Sequence, residues 1–332
     1  MPGRRINPGT SPLLDIHTYG RAASSREQDF TPAQIEYIRR TVHRAPEVMV
    51  KVLSRGGQDL KAVARHLNYL SRNGEVDIET DDGRHLKGEG IEQALIEDWD
   101  LDLDQLRPGV DLKPRPSPRP APRLVHKLMF SMPAGTPAQK VLSAVGTFAR
   151  EEFGAKYRYA MALHTDEPHP HVHLVVKALS EEGKRLNIRK GTLRQWRTQF
   201  ARRLREQGLA ANATTRAARG AMRPWKLDGI YRAGMRGAST HYRRRADEAA
   251  RELAQGAAVA DPGEERLLAT RRAVVQGWRD VSDQLTRQGQ LELARAVRAF
   301  IAQLPDPRTE KEQIKATLLE EARARGSEER QR

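Results

Sequence analysis

The sequence predicts a mixed α/β chain with a helical C-terminal region, and three observations carry that prediction. Four short apolar runs have the length and residue types of strands: EVMVKVLS (47–54), LVHKLMFSM (124–132), YRYAMALH (157–164) and HVHLVVKAL (171–179). Between them, apolar residues recur with helical spacing over 60–70, 136–153 and 191–208. Beyond residue 262 only the helical period remains.

Residues 1–44 are rich in Gly, Pro, Ser and Arg, and only TPAQIEYIRRTVHR (31–44) looks helical, so a flexible basic extension with one helix is expected. The strand at 47–54 is broken at Gly56-Gly57. Asp59 can cap the next helix, whose apolar stripe is Leu60, Val63, Leu67 and Leu70, and Gly74 stops it. EVDIETDDGRHL (75–86) reads as a hairpin around Asp82-Gly83. PRPSPRPAPR (114–123) is a linker or surface loop, because proline suits neither a helix interior nor a central strand. LLATRRAVVQGWRDVSDQL and LELARAVRAFIAQL form a helical hairpin, with a charged helix-prone end after it. The expected organisation is an extension over 1–44, an α/β domain over 45–225, a basic linker or helix over 226–261 and a helical region over 262–332.

Charge and composition narrow the function. The chain carries +15 at neutral pH, and residues 181–250 hold 18 Lys and Arg against 6 Asp and Glu. A chain this basic points to a polyanion, nucleic acid first. There is no cysteine, which excludes disulfides, thiolate metal sites and a Cys nucleophile. A metal must then be held by His and carboxylate. No apolar run is long enough to span a membrane. MPGRRINPGTSP does not read as a secretory signal, and a cytoplasmic location is expected.

Four of the ten histidines fall between 164 and 173, in HTDEPHPHVHLVVK. Side chains on a strand alternate faces. His171, His173, Val175 and Lys177 therefore share one face, and His164, Ala162 and Ala160 share one face of the preceding strand. If 165–170 is the loop, His164 opposes His171 and projects to the same side. Three imidazoles then converge, while the other face is apolar. Three protein ligands leave coordination positions open, as catalytic sites do. Imidazole donors suit transition ions better than magnesium, so manganese or zinc fit on ligand softness. A divalent ion is the expected cofactor, Mn2+ or Mg2+, with Zn2+ as the alternative. Asp166 sits in the loop, where it can hold a ligand's second ring nitrogen, act as a base, or only cap a turn.

A nucleophile is also needed, and Tyr69 in LNYLSRNG (67–74) is the candidate. It lies off the apolar stripe, near Arg65 and His66 on the preceding turn and Arg72 on the next. Basic surroundings favour a phenolate. Spacing alone leaves a tyrosine at the edge of the core nearly as good a reading.

These motifs resemble those of conjugative relaxases of the MOBP group, the Ti-plasmid border endonuclease type, within the HUH endonuclease superfamily. HxDxxxxHxH (His164, Asp166, His171, His173) is similar to that family's third motif, LNYLSRNG to its first, and HKLMFSMPAGT (126–136) to its second. The resemblance covers about 46–225, includes the basic stretch ATTRAARG (213–220), and departs at Lys177, where many relatives have Asn. It implies an α/β sandwich with a mainly antiparallel sheet, and a tyrosine that nicks one DNA strand at a transfer origin through a 5′-phosphotyrosyl intermediate. Under that reading Tyr69 and Asp166 are catalytic. His164, His171 and His173 hold the metal. His126, Ser131, Lys177, Arg189, Lys190, Arg194, Arg216 and Arg219 contact DNA. The implied partners are single-stranded or supercoiled origin DNA, relaxosome accessory proteins and a type IV coupling protein, with translocation into a recipient cell on the DNA. Competing readings are a rolling-circle initiator or single-Tyr transposase, a three-His metallohydrolase, and a non-catalytic basic DNA-binding protein.

Overall fold

The alternating runs assemble into one antiparallel sheet. Its strands are β1 (Met49–Leu53), β2 (Ile78–Thr80), β3 (His85–Leu86), β4 (Val125–Ser131), β5 (Tyr159–His164) and β6 (His171–Lys177), in spatial order β1-β4-β6-β5-β2-β3. The computed structural model describes residues 29–53, 57–106, 122–221, 240–255 and 263–329. Ten helices lie among them: α1 (Pro32–Val42), α2 (Leu60–Ser71), α3 (Ile91–Asp98), α4 (Leu101–Leu106), α5 (Ala138–Glu152), α6 (Lys190–Glu206), α7 (Thr240–Gln255), α8 (Glu264–Arg287), α9 (Leu291–Ala302) and α10 (Glu310–Glu329). None of the described helices is long and apolar enough to cross a membrane.

The chain divides into two compact units, Arg44–Ala213 and the segments Met1–His43 with Thr214–Arg332. In the first, the sheet is the middle of three layers. Leu128, Phe130, Met161, Val172, Leu174 and Val176 face one way and bury against α5 and α6, which contribute Phe148, Trp196, Phe200 and Leu204. Val125, Ala160, Ala162 and Val175 face the other way, against Val63, Leu67 and Leu70 of α2 and Leu95 and Trp99 around α3. Period-two alternation thus feeds two cores. The second layer does not extend over β1, where Met49 is 38% exposed.

The helix that carries Tyr69 is built as its sequence dictates. The Asp59 side chain caps it by accepting from Ala62 N at 2.9 Å. Its end differs from expectation, because Arg72 already closes it in the left-handed conformation (φ 52, ψ 52), two residues before Gly74. Gly74 follows at φ +87 and packs so closely that a Cβ there would lie 2.1 Å from the Gly88 carbonyl oxygen. Only glycine fits that crossing. Helices α3 and α4 are additions to the sequence reading. Their stripe of Ile91, Leu95, Ile96, Trp99 and Leu101 is diluted by acidic residues, and α3 starts at a glycine without a side-chain cap.

The helical unit is centred on Trp278, Val281, Leu285, Val297 and Phe300 of α8 and α9. Tyr37, Ile38 and Val42 of α1 belong to that same core. The helix expected inside a flexible extension is therefore a packed element, entered through a Thr31–Gln34 capping box with Pro32 at its first turn. Ala218 joins this core as well, its carbonyl accepting from Trp278 Nε1 at 2.7 Å. The unit boundary accordingly falls at 213/214, short of residue 225. The stretch 1–28 and most of the proline-rich run lie outside the described residues, as do 222–239 and 256–262.

Candidate metal centre and its tyrosine

Strand register brings the three histidines together. His164 pairs directly with His171, and Ala162 with His173. Opposed residues project to the same side, so all three rings leave the sheet on the α2 side, with ring centroids 4.7–5.4 Å apart. One ring nitrogen from each lies within 4.8 Å of the others. The next strand continues the row, with Ser131 opposite His171 and Met129 opposite His173. On β1, Met49 then stands opposite Ser131 and Lys51 opposite Met129.

The hydrogen bonds around the rings fix their tautomers. His164 Nε2 donates to the Leu70 carbonyl at 2.8 Å, which leaves a lone pair on Nδ1. His171 Nδ1 donates to the His169 carbonyl at 3.2 Å, which leaves one on Nε2. Both nitrogens of His173 are buried and have no hydrogen-bond partner. A buried polar atom without a partner is costly, and a cation held here beside two further lone pairs would supply a partner for one His173 nitrogen. The residues therefore fit a divalent ion, with main-chain carbonyls holding the ligand rings in the way second-shell groups do. Burial, and then neighbouring His164 and His171, push His173 down to about 3. Burial also lowers His164. His173 therefore stands neutral at neutral pH, the state a metal ligand requires.

Tyr69 reaches this cluster from the last full turn of α2. Its ring centroid is 5.7 Å from those of both His164 and His173, edge to face. The residue is 45% exposed, so a substrate can meet it. On the same helix face His66 stacks beside the Tyr69 ring at 6.1 Å and 17°, and the Arg72 guanidinium lies 4.6 Å from the ring centroid. Burial and then Lys127 push His66 down to about 4. Positions three before and three after a helical residue share its face, so the spacing in HLNYLSR already held both neighbours. What spacing did not show is their proximity to the histidines.

Within the first unit, several residues expected to contact DNA stand apart from the three histidines. His126 has the opposite parity to Ser131 on β4 and turns to the other sheet face, where its Nε2 meets the Leu186 carbonyl at 3.1 Å. Lys177 is buried, with its ammonium 3.6 Å from the buried Asp104 carboxylate. Arg189, Lys190 and Arg194 stand at the start of α6, which packs on the sheet face opposite the histidines. Arg216 and Arg219 belong to the helical unit. Asp166 does not hold a ligand ring nitrogen, because the carbonyls of Leu70 and His169 do so; its carboxylate pairs with Arg72. Ser131 remains in the row of the histidines. Lys51 is exposed in the neighbouring row and was missed, since alternation on β1 reveals its face only once the strand order is known.

Residues 79–209 match the family described as "Relaxase: MobA/VirD2-like, nuclease domain". The matched span holds the three histidines, Asp166 and Ser131 and begins after Tyr69. The T-DNA border endonuclease VirD2 of Rhizobium radiobacter is 28% identical over 189 residues, covering 52% of this chain and 43% of that protein. VirD2 of Agrobacterium fabrum is 27% identical over 194 residues, covering 52% and 41%. The chain thus spans less than half the length of these curated relatives. Among solved structures, the Mn-bound MobM relaxase domain with plasmid pMV158 oriT DNA aligns with 57% of this chain and 98% of its own, at 13% identity and a TM-score of 0.37.

Proposed function

We propose that this chain, whose residues 79–209 match the MobA/VirD2-like relaxase nuclease family, nicks single-stranded DNA at a transfer origin through Tyr69 and reseals it. The observation that carries this is the Tyr69 ring set edge-on to His164 and His173 at 5.7 Å, exposed at the mouth of the three-histidine cluster. The tyrosine precedes the matched span, so its assignment rests on that geometry together with the LNYLSRNG motif.

The reaction is a transesterification. The Tyr69 phenol loses its proton to solvent as its oxygen attacks phosphorus, the P–O3′ bond breaks, and the departing 3′ oxygen takes up a proton from solvent. The 5′ phosphate stays on the tyrosine. Because the phosphodiester is exchanged and not hydrolysed, the reverse reaction with a 3′-hydroxyl rejoins a strand without a nucleotide cofactor. His164 Nδ1, His171 Nε2 and His173 would hold a divalent ion, with Mn2+ favoured by the imidazole donors over Mg2+ and Zn2+ as the alternative. When bound it supplies Lewis-acid polarisation of the scissile phosphate. Ser131, beside His171, positions the phosphate. Met49 and Lys51 extend that floor and offer the adjoining nucleotides an apolar contact and a cation.

The partners that follow from this reading are origin DNA, relaxosome accessory proteins and a type IV coupling protein, with passage to a recipient on the DNA. The test uses 5′- or 3′-labelled single strands tiling the DNA around the chain's own gene, incubated with Mn2+ and resolved on a denaturing gel. A protein–DNA adduct that disappears with chelator and with Tyr69→Phe is expected. Free fragments without protein would sink the tyrosine mechanism in favour of a metallohydrolase. Binding without any cleavage of any strand would favour a non-catalytic DNA-binding protein.

A further inference from the structure

We propose that Arg72 is a positioning residue of this centre and that Asp166 acts through it, its carboxylate holding the guanidinium against the Tyr69 ring. This rests on the tyrosine reading above. One guanidinium makes three contacts here. It lies 4.6 Å from the Tyr69 ring centroid, it pairs with the Asp166 carboxylate, and its Nη2 is 3.4 Å from His164 Nδ1.

The backbone is committed to that placement. Arg72 and Asn73 are consecutive non-glycine residues at φ 52 and φ 56, a conformation L-residues hold only where their surroundings determine it. Arg72 N donates to the Tyr69 carbonyl at 3.3 Å and Asn73 N to the Asn68 carbonyl at 3.0 Å. The Asn68 side-chain amide donates to Asn73 Oδ1 at 2.7 Å. The turn that ends α2 is thus tied to the residues around the tyrosine, and the side chain lies back over it.

Charge explains why a carboxylate is needed as well. The lone pair on His164 Nδ1 that faces Arg72 is the one a metal would use, so that hydrogen bond and metal loading exclude each other. A divalent ion at the three histidines would also repel the guanidinium. Asp166, on the loop after β5, gives the cation an anion to stay for, and the contact with the electron-rich ring face remains. Asp166 contacts neither His164 nor His171 through the ring nitrogens that carbonyls already occupy. Its link to the tyrosine therefore runs through Arg72.

The experiment is a double-mutant cycle on the full chain. Asp166→Asn, Arg72→Met, Arg72→Lys and Asp166→Asn/Arg72→Met are compared for single-turnover adduct formation, single-strand affinity and Mn2+ affinity by calorimetry. Asp166→Asn and Arg72→Met should each slow adduct formation by about 10–100-fold, the scale of a misplaced reacting group. Neither Mn2+ nor DNA affinity should fall by more than about threefold, and the double variant should be no slower than Arg72→Met, since groups that act as one unit are not additive. Arg72→Lys keeps the charge but not the planar fork and should remain slow; it also carries the comparison if Arg72→Met fails to fold. Additive losses in the double variant, or a tenfold weaker Mn2+ affinity in Asp166→Asn, overturn the proposal, because Asp166 would then act independently or on the ligands. An adduct that persists in Tyr69→Phe overturns the tyrosine reading instead.

Discussion

His173 concentrates the metal reading in one side chain. Both of its ring nitrogens are buried without a partner, while His164 and His171 each spend one nitrogen on a carbonyl. His173→Ala should weaken Mn2+ binding by about 100-fold or more, beyond what loss of a supporting contact gives, and calorimetry on the metal-free protein measures it; unchanged affinity would place the metal elsewhere. The same burial predicts a pH dependence. His66 and His173 are held near 4 and 3 in the folded chain, against about 6.5 when unfolded. Between those values the unfolded state binds more protons, so stability is complete above about pH 6.5 and falls as pH drops toward 4, by at most ~1.4 kcal/mol per pH unit for each group. The metal-free thermal midpoint should therefore decline from pH 7 to pH 5, and less steeply in His173→Gln; a flat profile would contradict neutral buried rings. At this scale the sequence was informative about identity and weak about partners. HxDxxxxHxH named the cluster, and alternation placed it on one face. That Asp166 turns to Arg72 depends on where α2 ends, and the left-handed turn at Arg72 carries no glycine to announce it.

Elements decide which expected contacts survive. Parity on β4 separates His126 from Ser131, and the two-sided packing of the sheet puts α6 behind it. The first was legible in strand alternation, whereas the second depends on layer assignment, which local patterns do not contain. The strands themselves were readable because their apolar runs are short and well bounded, whereas α3 and α4 were hidden by acidic residues. Lys177 shows the consequence most sharply. It lies on the histidine face of β6 but four residues further along, under α4, where it meets Asp104. Lys177→Met should cost about 3 kcal/mol or more in chemical denaturation, because it removes the cation facing a buried carboxylate. Single-strand affinity of the folded variant should not change; a loss of affinity at full stability would restore Lys177 as a DNA contact.

For the molecule as a whole, the +15 charge is consistent with a nucleic-acid partner, but the α6 portion of the basic run is not at the metal centre. It lies on the sheet face opposite the histidines. The cation predicted to meet a phosphate of the strand beside the centre is Lys51, on the open β1 side. Lys51→Ala should lower the slope of log affinity against log salt by about 0.7, the value for one single-strand phosphate, when binding is titrated from low to moderate salt; an unchanged slope would move the strand off β1. The two-unit organisation itself was half legible. The change from mixed to purely helical pattern marked the C-terminal region, while the return of α1 to its core is a long-range contact that no local period encodes.

The central claim is that Tyr69 becomes covalently joined to the 5′ phosphate of the nicked strand. Mass spectrometry of the trimmed and proteolysed adduct tests it most directly. A nucleotide-bearing peptide modified at Tyr69, and absent from Tyr69→Phe, is expected. A modification on any other residue, or cleaved DNA with no modified peptide, would contradict it.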